Sequence, residues 1–254
     1  MRRIMLTVAY DGTDFHGWQV QPGVRTVEGE LNRALSDWLK EEVIVIGASR
    51  TDTGVHAMGN LAVFDTKLAI PAEKVPYALN TKLPGDVKIQ SAMEVPAEFH
   101  PRHCESRKTY EYRFYTAKHP NPLKNRYATY TYMEPDVLKM QQAAAYLVGE
   151  HDFKSFCQVG AQVKSTVRRV TDVSVSEDGA DLVIRVTGEG FLYNMVRIMV
   201  GTLLEVGLGK REPRQIQEIL EAKNREAAGP TAPAHGLTLV KYEFLQEMQE
   251  YLEK

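Results

Sequence analysis

The sequence has little cysteine, no long hydrophobic run and no excess of positive charge. Its two cysteines, Cys104 and Cys157, are too few for a disulfide framework, and this favours free thiols in a reducing cytoplasm. The most apolar window, residues 191–208, is interrupted by polar side chains and is not a transmembrane segment. The N-terminus carries two arginines and only a short apolar run, which is not the pattern of a signal peptide. We therefore expect a soluble cytoplasmic protein.

The overall charge is close to neutral. The formal net charge is −2 at pH 7 and the isoelectric point is about 6.4. A nucleic-acid-binding domain commonly has an isoelectric point above about 9, so the total charge counts against such a function. A small total can still hide a basic cleft. With 254 residues, 43% of them hydrophobic and 25% charged, the chain has the composition of a globular protein with one large domain or two ordinary ones.

The two halves of the chain repeat one order of predicted elements. In the first half, strands are predicted over 2–11, 42–49, 59–66 and 86–95, and helices over 26–40 and 71–83. In the second half, strands are predicted over 107–116, 165–177, 180–190 and 236–245, with helices over 135–149, 194–207 and, as an extra element, 213–222. This order predicts an α+β fold of two ferredoxin-like β-α-β-β-α-β halves related by pseudo-twofold symmetry, with the active-site cleft between them. The predicted domains are 1–103 and 104–254.

The stretch GASRTDTGVHAMGN, residues 47–60, places Asp52 in a turn after a predicted strand. A small acid beside glycine commonly shapes a turn and does no chemistry. Asp-Thr-Gly is also the local sequence of an aspartic protease, in which two carboxylates share a proton. No second triplet of this kind occurs in the chain, so a protease would have to be a dimer.

Arg197 is the second candidate. The predicted helix 194–207 is apolar nearly all round, which indicates burial. A buried arginine keeps its charge and needs an anionic partner. Glu205 or another helix acid could pair with it, or the guanidinium could reach solvent. Alternatively, Asp52 from the other half pairs with it, which would hold that carboxylate ionised, as a carboxylate nucleophile requires.

Basic and aromatic residues cluster after the predicted domain junction. Residues 100–126 contain seven Lys or Arg and two acids, and Tyr110 shares one strand face with Tyr112 and Phe114. This face could be core and the charges solvated, or the segment could bind an RNA backbone while an aromatic stacks on a base. The candidate basic contacts are Arg107, Lys108, Arg168 and Arg169. His100, His103 and Cys104 lie close together but match no zinc spacing, so no metal site is predicted.

Six blocks in one order resemble the tRNA pseudouridine synthase A family. They are YDGTDFHGWQVQP, RTDTGVHA, KTYEYRF, GEHDFKSF, GFLYNMVRIMVGTLLEVG and APAHGLTLVKYEF, and they cover essentially the whole chain. The resemblance implies that Asp52 is the catalytic nucleophile and that Arg50 engages the RNA as the base flips out. It also implies that Tyr110 packs on the target base, with a possible role as general base, and that Arg197 pairs with Asp52. Ser49 and Thr53 depart from the family's usual Gly and Ala, and HPRHCES departs from its commoner HARFSA.

The resemblance implies an isomerase that converts uridine to pseudouridine at positions 38, 39 and 40 of the tRNA anticodon stem and loop. Such a reaction needs no metal and no cofactor. The implied partners are tRNA and a second copy of the chain in a homodimer, without a membrane. Two other classes stay open at this point: a non-catalytic RNA-binding module, and a dimeric aspartic protease that uses Asp52.

Overall fold

A computed structural model describes residues 1–160 and 163–245 of the chain. Its spatial contacts group the residues into two compact units. The first is Met1–Glu105 together with the chain from Leu239, and the second is Ser106–Thr238. The domain limits 1–103 and 104–254 stay a prediction about folding domains, and residues 246–254 lie outside the described residues.

The described residues form a mixed α+β structure. Its strands are β1 (Arg2–Tyr10), β2 (Ile46–Gly47), β3 (His56–Thr66), β4 (Val87–Val95), β5 (Ser106–Thr116), β6 (Thr129–Thr131), β7 (Gly149–Asp152), β8 (Val167–Asp178), β9 (Asp181–Gly188) and β10 (Leu237–Phe244). Its α-helices are α1 (Val27–Leu39), α2 (Val75–Leu79), α3 (Val137–Ala145), α4 (Met195–Gly207) and α5 (Gln215–Ala222). The predicted α+β class is confirmed.

In the first unit the strand order is β4-β1-β3-β10, and the short β2 also pairs with β3. β1 runs antiparallel to both β3 and β4. Helix α1 begins after Thr26, whose side chain accepts a hydrogen bond from Gly29 N. Its buried residues Val27, Leu31, Ala34 and Leu35 recur at helical spacing, as the sequence predicted.

The predicted strand 42–49 is paired only at Ile46–Gly47. Helix α1 explains the difference, because its side chains take the backbone donors that a longer strand would use. Val43 N donates to Ser36 Oγ at 2.9 Å, and Val45 N donates to Asn32 Oδ1 at 2.9 Å. The predicted helix 71–83 is likewise shorter, with a 3₁₀ turn at Ala72–Lys74 leading into α2.

In the second unit the order is β5-β9-β8-β7, and β6 runs parallel to β5. Helix α4 is buried nearly all round, as its composition predicted. Glycine permits its close contact with a loop, since a Cβ at Gly201 would lie 1.9 Å from Pro230 O. Strands β6 and β7 were not predicted, because each has at most four residues. Across residues 1–160 and 163–245, every helix is too short or too polar to cross a membrane.

Candidate active-site residues

Asp52 lies in the turn between β2 and β3, and its side chain is half-buried. The turn closes through the main chain, because Val55 N donates to Asp52 O at 3.1 Å. Gly54 supplies a positive φ of 79° and donates its N–H to Phe15 O at 3.3 Å. Main-chain hydrogen bonds therefore hold this turn closed.

Residues 12–18 press closely against this turn. A Cβ at Gly12 would lie 2.1 Å from Val55 O, and one at Gly17 would lie 2.7 Å from Thr51 O. Trp18 N donates to Thr51 O at 3.0 Å. The two glycines of the YDGTDFHGWQVQP block thus have a steric reason: the chain must approach the Asp52 turn at backbone contact distance.

Two arginines flank the Asp52 turn within the first unit. Arg50 is exposed, and Arg102 donates from Nε to Gly47 O at 2.7 Å. Burial lowers the pKa of Arg102, and the charge of Arg50 lowers it further. Arg50 and Arg102 are therefore near enough for their charges to interact, and Glu28 offsets part of the effect on Arg102.

Tyr110 lies on β5 opposite Val186 of β9 and is 8% exposed. Its ring meets Phe191 edge-to-face, with centroids 5.3 Å apart. Tyr112 and Phe114 share this face and are fully buried. The Tyr112 hydroxyl donates to Pro233 O at 2.8 Å, and burial raises its pKa. The core interpretation therefore holds for Tyr112 and Phe114, while Tyr110 stands beside the segment that leads into α4.

Arg197 projects from the first turn of α4 and is half-buried. Its Nε donates to Ala232 O at 2.7 Å, and its Nη1 donates to Asn194 Oδ1 at 2.8 Å. Glu205, considered above as its partner, instead bonds Arg211 at 2.6 Å. These contacts orient the guanidinium, and its pairing with Asp52 stays a prediction.

The charged residues of the second unit's sheet differ from one end of its strands to the other. Lys108 lies opposite Gly188 of β9, and Gly188 lies opposite Val170 of β8. This register brings the beginning of β5 level with the beginning of β8. The candidate basic residues lie here, and we call this part of the sheet its basic end: Arg107, Lys108, Arg168 and Arg169. Arg107 and Arg169 are exposed, and Arg168 is half-buried.

Farther along the same strands, cations are paired with acids. Arg113 bonds Glu111 at 2.7 Å and Asp178 at 3.0 Å, and Arg185 bonds Glu111 at 2.7 Å. Arg169 at the basic end also has an acid nearby, since its Nε lies 3.8 Å from Glu189 Oε1. The network of Arg113 and Arg185 is suited to hold strands together, whereas the exposed Arg107 and Arg169 can contact an anionic ligand.

The cluster of His100, His103 and Cys104 forms a small packed corner. The two imidazole rings stack with centroids 4.0 Å apart, and Cys104 packs against the hydrophobic core of the first unit. Throughout the part of the chain that the structure describes, no group of three or more His, Cys, Asp or Glu side chains could hold a metal ion.

Sequence reasoning passed over three residues that orient the candidates. Asn194 bonds Arg197, Tyr10 bonds Thr51 next to Asp52, and Asn60 bonds Ser49 in the same segment. A signal was available for each, since Tyr10 opens the first family block, Asn60 ends the stretch around Asp52, and Asn194 lies three residues before Arg197. None could be chosen without knowing which polar groups are buried together.

The chain is similar to known proteins over most of its length. A family model described as tRNA pseudouridine synthase matches residues 6–103 and 143–244. The chain is 49% identical to tRNA pseudouridine synthase A of Halalkalibacterium halodurans, over 93% of this chain and 90% of that protein. It is 47% identical to tRNA pseudouridine synthase A of Bacillus subtilis, over 93% of this chain and 97% of that protein. The chain also matches a chain of the solved archaeal box H/ACA sRNP Nop10–Cbf5 complex at 13% identity and a TM-score of 0.38. The match covers 89% of this chain and 60% of that chain.

Proposed function

Because the chain belongs to the tRNA pseudouridine synthase family, we propose that Asp52 is its nucleophile and that its targets are positions 38, 39 and 40 of the anticodon stem and loop. The overall activity follows from the family and from relatives that match nearly end to end. The protein is an isomerase that converts uridine to pseudouridine in tRNA.

The reaction breaks the bond between C1′ of the ribose and N1 of uracil, turns the base over and joins C5 to C1′. The proton on C5 is released, and N1 gains one. An anionic group at the sugar or the ring is needed to separate the base. The Asp52 carboxylate can attack C1′, attack C6 or remove a proton at the 2′ position, and all three routes use the same side chain.

Tyr110 and Arg197 complete the proposed machinery. The target uridine must leave the helical stack before Asp52 can reach it, at a cost of a few kcal/mol. Tyr110 packs against the flipped base and is a candidate for removing the C5 proton. Arg197 keeps Asp52 ionised. The edge-to-face contact of Tyr110 with Phe191 and the two oriented bonds of Arg197 support these roles.

Arg50 and the basic end of the second unit's sheet supply RNA contacts in this proposal. Arg50 engages the strand as the base leaves it, and Arg107, Lys108, Arg168 and Arg169 contact phosphates. Neutralising phosphates releases counterions, so a few exposed cations can support binding despite a net charge of −2. We also propose a homodimer located in the cytoplasm.

The observation that carries the assignment of Asp52 is its turn, which is fixed by main-chain bonds and flanked by Arg50 and Arg102. The test is tritium release from tRNA whose uridines are labelled at C5. Wild type should release tritium, and Asp52→Ala and Asp52→Asn should release none above background. Asp37→Ala is the matched control, because Asp37 is an exposed acid that bonds Lys40 and Lys82.

Each alternative has its own outcome in this experiment. No release by wild type with folded tRNA that still binds would leave an RNA-binding module. Equal release by wild type and Asp52→Ala would make Asp52 a turn residue only. Cleavage of a peptide substrate that is blocked by a pepstatin-type inhibitor would indicate the dimeric protease.

A further inference from the structure

The buried side-chain amide of Asn60 joins β3 to Ser49, in the segment that leads into the Asp52 turn. Asn60 is 0% exposed, and all four of its hydrogen-bonding positions are used. Its Nδ2 donates to Ser49 O at 2.9 Å and to the Tyr10 hydroxyl at 3.3 Å. Its Oδ1 accepts from Ser49 N at 3.2 Å and from Leu61 N at 2.9 Å. The amide therefore has one orientation, because turning it over would break its two bonds with Ser49 and its bond with Leu61 N.

The Tyr10 hydroxyl extends this connection to the residue before Asp52. It lies 2.7 Å from Thr51 Oγ1, and both side chains are buried. Burial raises the pKa of Tyr10, so the hydroxyl keeps its proton at physiological pH. The same hydroxyl accepts from Asn60 Nδ2, so it joins Asn60 to Thr51, and either hydroxyl can be the donor in the bond between Tyr10 and Thr51.

Thr51 is therefore held from two sides. Its side chain bonds Tyr10, and its carbonyl accepts from Trp18 N at 3.0 Å. Ser49 is held by Asn60 at both its N–H and its C=O. Ser49 and Thr51 are buried, whereas Arg50 is exposed and Asp52 is half-buried, so the two anchored residues alternate with the two candidates along this segment.

We propose that the Tyr10 hydroxyl is a positioning group for the reaction, acting through Thr51 to hold Asp52 in its productive orientation. This inference rests on the proposed role of Asp52 as nucleophile. Neither Tyr10 nor Asn60 touches the reacting atoms in it. A displacement of about 1 Å at a reacting group can cost about a hundredfold in rate, so a single anchoring bond at this place has kinetic leverage.

The hydroxyl can be separated from the ring that carries it. The Tyr10 ring packs 5.9 Å from the Trp18 ring, and a phenylalanine would keep that contact. Tyr10→Phe removes only the bond to Thr51 and the acceptor for Asn60. Thr51→Val removes the same bond from the other side at nearly constant volume, while Thr51→Ser keeps a hydroxyl.

The experiment measures kcat and KM for tritium release with Tyr10→Phe, Thr51→Val, the double variant and Thr51→Ser. Both single variants should lower kcat by about tenfold and leave KM for tRNA within about twofold, because tRNA binding is kept and productive orientation is lost. The double variant should be no slower than the slower single variant, since one bond is lost only once. Thr51→Ser should keep most of the wild-type kcat.

Tyr115→Phe is the control for the loss of a buried hydroxyl. Tyr115 is 2% exposed, and its hydroxyl accepts from Asn121 N at 2.7 Å in the second unit. It should lower the melting temperature about as much as Tyr10→Phe but leave kcat unchanged.

Two kinetic results would overturn the positioning role while leaving the nucleophile intact. One is wild-type kcat in Tyr10→Phe beside an inactive Asp52→Ala. The other is multiplication of the two single effects in the double variant, which would mean that Tyr10 and Thr51 act separately. Tritium release by Asp52→Ala equal to wild type would remove the proposed function and this inference together.

Discussion

Replacing Asn194 by glycine should slow catalysis by loosening Arg197 while leaving the backbone in place. Asn194 has φ 58° in the left-handed region, which glycine adopts without a Cβ penalty. The variant therefore loses the 2.8 Å bond from Arg197 Nη1 to Asn194 Oδ1 and keeps the bond from Nε to Ala232 O. The change therefore removes one contact that orients the guanidinium and keeps another.

The size of the effect follows from these contacts. A hydrogen bond to a charged group contributes about 1.5–3 kcal/mol. The lower end applies here, because Arg197 is half-buried and water can take part of the place of the lost acceptor. If Arg197 orients or stabilises Asp52 in the transition state, a loss of about 1.4 kcal/mol lowers kcat about tenfold.

Two further variants at this position sharpen the result. Asn194→Ala loses the same acceptor and adds left-handed strain of about 1–2 kcal/mol, so it should melt lower than Asn194→Gly at a similar kcat. Asn194→Asp keeps an acceptor but adds a carboxylate beside Arg197. It should compete with Asp52 for that charge and lower kcat further than glycine does.

The assay is single-turnover tritium release with enzyme in excess over tRNA, which separates chemistry from product release. Thermal denaturation of each variant runs beside it. Wild-type rates in both Asn194→Gly and Asn194→Asp would refute the reasoning, because they would mean that neither the orientation nor the charge of Arg197 matters to the reaction.

Three other substitutions test the fold and the RNA contacts. At an exposed helix position a change from glycine to alanine stabilises the helix, but at Gly201 the new Cβ would lie 1.9 Å from Pro230 O. Thermal denaturation of Gly201→Ala should therefore show a free energy of unfolding that is lower by about 2–3 kcal/mol. Asp86→Asn tests the ion pair between Asp86 and Arg25, in which the hydrogen bond from Arg25 lowers the pKa of the Asp86 carboxyl. The pair therefore stabilises the fold fully above the pKa of the unfolded state, about 3.9, and this stabilisation is lost as the pH falls through the pKa of the folded state. Urea denaturation should show a deficit of about 1 kcal/mol at pH 6 that shrinks by pH 3, and a constant deficit would contradict the assignment. Arg107→Ala should lower the salt slope of tRNA binding by about 1, whereas Arg185→Ala, which breaks a pair with an acid, should leave it unchanged.

Local sequence patterns were enough for the elements with strong periodicity. Helix α1 was predicted from its apolar spacing, and α4 was predicted to be buried from its continuous apolar composition. The strand at 42–49 was predicted too long for a non-local reason. The side chains of Ser36 and Asn32 on α1 accept hydrogen bonds from Val43 N and Val45 N, so these donors are not available to a neighbouring strand. No local sequence pattern predicts these bonds.

The same division applies to the candidate site. Residue patterns singled out Asp52, an acid in a glycine turn, and Arg197, a cation in an apolar helix. They left Tyr110 in one group with Tyr112 and Phe114, and the resemblance to the family selected it. The family blocks then suggested their roles. Composition could not show which arginines join the network around Glu111, since that depends on which strands are neighbours.

By itself, the sequence determined the family and the α+β class, and it named the candidate residues for the chemistry. Tertiary structure decided the partners: Asn194 and Ala232 for Arg197, and Tyr10 for Thr51. The physical reason is that a buried polar group must find a partner somewhere, and the chain folds residues as far apart as 10 and 51 into one shared hydrogen bond. Periodicity reports which side of an element is buried, whereas only the packed structure reports which polar groups are buried together.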